Sequence, residues 1–90
     1  MKFFDVREIG DKVVIHVDDE KINDDSFRKF INETTALLLL DKDLACKYDD
    51  RDDVVVCFAY PGEWSPRLAS SIRNKLSLWE YELERFINSK

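Results

Sequence analysis

Val54-Val55-Val56-Cys57-Phe58-Ala59-Tyr60 is a strand-like run that is apolar on both faces, and such a strand belongs inside a sheet, flanked on both edges. That one segment restricts the architecture more than any other. Phe3 to Ile9 and Lys12 to Val17 flank Gly10-Asp11, a pair suited to the positive backbone angles of a two-residue hairpin turn. With that turn Val6 faces Ile15, Phe4 faces Val17, Arg7 faces Val14 and Asp5 faces His16. Leu44, Cys46 and Tyr48 alternate along a further short strand. The apolar run, placed centrally, then gives an antiparallel order 1-2-4-3.

Two helices complete the pattern. Asn23 is the expected cap of the first, with Ile22 and Phe27 placed as a hydrophobic staple. Phe27, Phe30, Ile31, Thr34, Leu37 and Leu38 recur at helical spacing as its buried stripe, out to about Leu40, with Leu39 off the stripe. Pro61-Gly62 ends the central strand, and Ser65-Pro66 starts a second helix that runs to about Asn88. Its buried stripe is Leu68, Ile72, Leu76, Trp79, Leu83 and Phe86, with Ile87 at the margin. Trp64 reads as an anchor for the chain entering that helix.

The expected fold is therefore α+β: two ββα halves, about 1–41 and 42–90, forming a four-stranded, mainly antiparallel sheet with two helices on one face. At an offset of 41 residues Val13-Val14-Ile15 lies on Val54-Val55-Val56 and Ile31 on Ile72, a match of pattern rather than identity. A single domain spans 1–90. The helix-covered face is expected to carry Val6, Ile15, Val56 and Phe58. That leaves Phe3, Val14, Val55, Cys57 and Ala59 as an open apolar face, suited to a dimer or partner.

Charge supplies the functional lead. The formal net charge is −5, a sign that repels nucleic acid and anionic lipid and attracts basic proteins. A helix joining the second and third strands makes those strands point the same way, so their ends share one edge of the sheet. Asp18, Asp19, Glu20, Asp24 and Asp25 leave the second strand there, and Asp49, Asp50, Asp52 and Asp53 leave the third. Nine of nineteen acids thus share one end, opposed in those segments only by Lys21 and Arg51. The last helix is slightly basic, and Tyr81 and Arg85 on its outer side are residue types that often anchor interfaces.

Chemistry-bearing patterns are sparse. The acidic turn lacks the glycine and distal glutamate of a calcium loop, and Cys46 and Cys57 lack zinc-site spacing and read as core residues. His16 could be oriented by Asp5, but no nucleophile stands beside them. No enzyme activity, cofactor or metal is expected. The longest apolar run, Ala36 to Leu40, falls far short of the roughly 20 residues of a membrane helix, and a cytoplasmic location is expected.

The expectation is a small acidic protein-binding module: an inhibitor, immunity protein, antitoxin or nucleic-acid mimic. It would occupy a basic surface on a nuclease or other nucleic-acid-processing protein. The likeness to such proteins is one of size and sign alone. A homodimeric adaptor or regulatory subunit using the open sheet face is the second reading.

Overall fold

The computed structural model describes residues 2–60 and 64–89. Its elements are β1 (Phe4–Ile9), β2 (Lys12–Val17), α1 (Asp25–Leu39), β3 (Leu44–Asp49), β4 (Val54–Ala59) and α2 (Pro66–Asn88). The strands form one sheet, ordered β1-β2-β4-β3, with every neighbouring pair antiparallel. The α+β class and the expected strand order are both met. The expected stop at Pro61-Gly62 lies outside the described residues.

The hairpin follows its local chemistry. Gly10 takes a φ of +61°, and the register pairs Phe4 with Val17, Asp5 with His16, Val6 with Ile15 and Arg7 with Val14, as alternation and a two-residue turn require. From β2 the register passes to β4, pairing Ile15 with Val55 and Val13 with Cys57. Directly opposed residues share a face, so Val55, Cys57 and Ala59 point with Ile15 into the core. They are 0%, 0% and 2% exposed.

This reverses the expected facing of β4. Val56 and Phe58 lie on the open side, Phe58 being 43% exposed, while Phe3, Val55 and Cys57 are buried. Of the residues proposed for an open dimer or partner face, Val14 alone remains there, half-buried. A strand apolar on both faces carries no alternation from which its inner side can be read. The 41-residue offset fails in the same way, since it lays the core-facing Ile15 on Val56 of the open side.

Both helices cover the face bearing Phe4, Val13, Ile15, Val17, Leu44, Val55 and Cys57, with which Ile31, Leu39, Leu68, Ile72, Leu76 and Leu83 form one core. The helix α2 spans its expected range. Pro66 occupies its first turn, and Ser65 caps it through its backbone carbonyl, which accepts from Leu68 N at 3.1 Å, without a side-chain bond. Trp64 is half-buried against the core, as an entry anchor should be. Phe86, expected inside, is 48% exposed.

The helix α1 is rotated from its expected setting. Its cap is Asp24 rather than Asn23, with Asp24 Oδ1 accepting from Phe27 N at 3.0 Å. Its buried residues are Ile31, Asn32, Thr35, Ala36 and Leu39, whereas Phe30, Leu37 and Leu38 are 52%, 70% and 49% exposed. Leu37-Leu38-Leu39-Leu40 is apolar around the whole helix end, so periodicity cannot select a side. Polar fit selects it: Trp79 Nε1 donates to Thr35 Oγ1 at 2.8 Å, and Thr35 donates to the Ile31 carbonyl at 2.6 Å. Accordingly Leu39→Ala should cost roughly 2–4 kcal/mol and Leu37→Ala less than about 0.5 kcal/mol. Urea denaturation measures both, and equal losses would contradict this rotation.

Candidate functional site

The ends of β2 and β3 do meet. His16 and Asp49 are both paired with Val54, one on each side of β4, so the acidic segments that follow β2 and β3 emerge together. The first segment is shaped by its own carboxylates. Asp18 Oδ1 accepts from Glu20 N at 3.0 Å, and the Asp18 carbonyl accepts from Lys21 N and Ile22 N at 3.2 Å, turning the chain so that Ile22 is buried. In the β3–β4 turn, Asp49 Oδ1 accepts from Arg51 N at 3.0 Å. That bond holds the Asp49 carboxyl below the ordinary carboxylate range.

The two segments are joined by a side chain the charge pattern did not single out. Arg28, from the second turn of α1, donates from Nε to Asp53 Oδ2 at 2.7 Å and from Nη2 to Asp25 Oδ1 at 2.5 Å, and sets Nη1 3.3 Å from Asp19 Oδ1. Nη1 also donates to the Ile22 carbonyl at 3.3 Å. Burial of the guanidinium works against its charge, but the Asp53 bond and the charges of Asp19, Asp53 and Asp25 outweigh it, and Arg28 is held more firmly protonated than usual. The local balance is therefore nine acids against Lys21, Arg51 and Arg28.

Asp53 is the second half of this knot. Its Oδ1 accepts from Asn32 Nδ2 and from Tyr48 Oη, each at 2.9 Å, and its φ of +56° lies in the left-handed region that Asp tolerates better than most residues. Asn32 is fully buried, and its Oδ1 has no partner among the described residues. Asp53 thus holds the turn to α1. Signals for this lay far apart in the chain, since Arg28 and Asp53 are 25 positions apart.

Burial and the Asp53 bond push the Tyr48 hydroxyl up to about 12. A phenol whose folded pKa is raised favours folding while neutral, so that contribution is whole below the unfolded value of about 10. It is lost as pH rises through 10 to 12. Phenolate absorbance should show one tyrosine titrating near 12, absent in Tyr48→Phe, and a Tyr48 that ionises at its ordinary value would exclude the bond.

Six carboxylates remain outward at this end: Asp19, Glu20, Asp24, Asp25, Asp50 and Asp52 are exposed, while Asp18, Asp49 and Asp53 are half-buried. Phe4, Asp5, His16, Asp18, Asp19 and Glu20 line an open depression of about 560 Å³ beside them. Asp5 Oδ2 accepts from Arg7 Nε at 3.0 Å, so that oxygen is engaged along its own strand. Among the described residues no group of three or more His, Cys, Asp or Glu is arranged to hold a metal ion, and no helix is long and apolar enough to cross a membrane.

Next to the acidic end lies an apolar surface that takes in Phe30, Leu38 and Phe86, exposed residues whose helical spacing predicts burial. Phe27 stacks on Phe30 and on Phe86, centroids 6.2 and 5.8 Å apart, bringing the start of α1 against the end of α2. Farther along, Thr34, Leu38, Lys75, Leu78, Trp79 and Glu82 line a groove of about 430 Å³ between the helices. Leu78 and Tyr81 are 70% and 61% exposed, and the Arg85 guanidinium lies 6.0 Å from the Tyr81 ring centroid. A run of four leucines holds more apolar surface than one helix face can bury, and that was the available sign.

No family model, curated protein or solved structure matches the chain.

Proposed function

We propose that this chain is an acidic protein-binding module that occupies a basic surface of a nucleic-acid-processing protein, in the manner of an inhibitor, antitoxin, immunity protein or nucleic-acid mimic. The observation that carries this reading is the convergence of two sequence-distant acidic segments into one end of the molecule, six of their carboxylates exposed. Carboxylates grouped in this way stand in for phosphates and steer a basic partner into place. The exposed helical band, with Phe30, Leu78 and Tyr81, supplies the apolar contact that makes an encounter last. The reading needs no catalytic step by the chain itself. Free thiols at Cys46 and Cys57 accord with a cytoplasmic location.

Capture from lysate at low salt with salt-step elution supplies the partner, and stopped-flow mixing with that purified partner tests the mechanism. Association should slow roughly tenfold or more between low and several-hundred-millimolar salt. The triple variant Glu20→Gln, Asp50→Asn, Asp52→Asn should bind slowly even at low salt, with its melting temperature kept. Association indifferent to both changes would overturn the reading.

A homodimer is the second reading, and the helical band favours it over the sheet. The sheet face has lost Val55 and Cys57 to the core and keeps Val14, Val56 and Phe58 among Arg7, His16 and Lys47. A dimer in sedimentation that dissociates on Leu37→Glu with Leu78→Glu, but persists in the triple acid variant, would support it.

A further inference from the structure

Cys46 and Cys57 stand directly opposite each other on β3 and β4, with both side chains on the core face. We propose that they form a thiol–disulfide site in which Cys46 is the attacking thiol and Cys57 the resolving one, oxidised by a peroxide to a disulfide across the two strands. Directly opposed residues of an antiparallel pair have Cα atoms about 4.5 or 5.5 Å apart, and both spacings fall inside the roughly 4.4–6.8 Å window of a disulfide. The Cα spacing of the pair therefore permits a bridge.

The two positions differ in the way such a pair requires. Cys46 lies on an edge strand and is half-buried, within reach of a small oxidant, whereas Cys57 on the inner strand is fully buried. Interaction between the two neighbouring thiols lowers the Cys46 pKa and, with burial, raises that of Cys57. The Lys75 charge also lowers the Cys46 pKa, against the opposing charge of Asp41, whose Oδ2 lies 3.2 Å from Lys75 Nζ. A thiolate at Cys46 is thus favoured over one at Cys57.

The Cys46 thiolate attacks one oxygen of hydrogen peroxide. The O–O bond breaks, leaving a sulfenic acid on Cys46 and a hydroxide that takes a proton to become water. The Cys57 sulfur then attacks Cys46 Sγ. The S–S bond forms as the S–O bond breaks, and the departing hydroxide takes the Cys57 proton as a second water. Two thiols are oxidised and one peroxide is reduced. The closed loop contains Asp49, Asp50, Asp52 and Asp53, so oxidation clamps the hairpin that presents the acidic turn, whatever that turn binds.

The test uses the reduced full chain, treated with hydrogen peroxide, then denatured, alkylated and weighed intact. The expected product is a monomer lighter by two hydrogens, with neither cysteine alkylated and both recovered on reduction. In Cys46→Ser, the Cys57 thiol should stay reduced under the same treatment. Disulfide-linked dimers, oxygen retained on Cys46 with Cys57 alkylated, no reaction, or wild-type oxidation of Cys57 in Cys46→Ser would each overturn the proposal.

Discussion

Val55→Asp is expected to remove roughly half or more of the chain's stability, whereas Phe58→Asp on the same strand should leave most of it. Val55 is fully buried between Ile15 on β2 and Tyr48 on β3. A carboxylate there loses its hydration without gaining a partner, a penalty of roughly 4 kcal/mol or more. A domain of this size has only about 5–10 kcal/mol of total stability. Phe58 faces outward at 43% exposure, so its replacement costs about 1 kcal/mol, mostly through the poor strand preference of Asp. Far-ultraviolet circular dichroism and urea titration distinguish the two. If Phe58→Asp proved the more damaging, the face assignment of β4 would be wrong, and with it the core. Loss of association in Val55→Asp would accordingly report unfolding, and Val56 or Phe58 is the proper place to probe the open sheet face.

The second large effect is expected at Asp53. Removing its carboxylate strands three donors at once: Arg28 Nε, Asn32 Nδ2 and Tyr48 Oη. Asn32 is fully buried and Tyr48 half-buried, so water replaces the lost acceptor poorly, and Asp53→Ala should cost roughly 2–4 kcal/mol. Part of that loss is backbone, because Ala tolerates a φ of +56° less well than Asp. Asp53→Gly separates the parts, since glycine takes that φ without strain, and it should keep most of the loss. Asp53→Asn retains an oxygen acceptor and should fall between. Thermal melts of the three variants check this order. A Gly variant as stable as wild type would show that the carboxylate network contributes nothing net.

The same residue bears on the functional reading. Asp53 and Asp19 are among the acids expected to face a partner; both are bound by Arg28, and of the two only Asp19 is exposed. The acidic end is built around a half-buried cation that keeps two repelling segments side by side. Without it, nine carboxylates drawn to one sheet edge would oppose the closure that brings them there. Under the proposed binding role, the outward set is the one to test, with Glu20, Asp50 and Asp52 the residues whose neutralisation should slow binding without loosening the fold.

Local chemistry settled much of this molecule. Alternation in β1 and β2 with Gly10 between them was enough to set four cross-strand pairs, because a two-residue turn leaves one register. Connectivity was enough to bring the ends of β2 and β3 together, because a helix between two strands returns the chain to its starting edge. The inner side of β4, the buried side of α1 and the place of Arg28 were decided only by tertiary structure. Val54 to Ala59 offers two equally apolar faces and Leu37 to Leu40 an apolar ring, so hydrophobicity is degenerate there. On α1 the polar contacts of Asn32 with Asp53 and of Trp79 with Thr35 mark the inner side, and on β4 the register with β2 does so by setting Val55 opposite Ile15, between residues that sequence spacing does not connect.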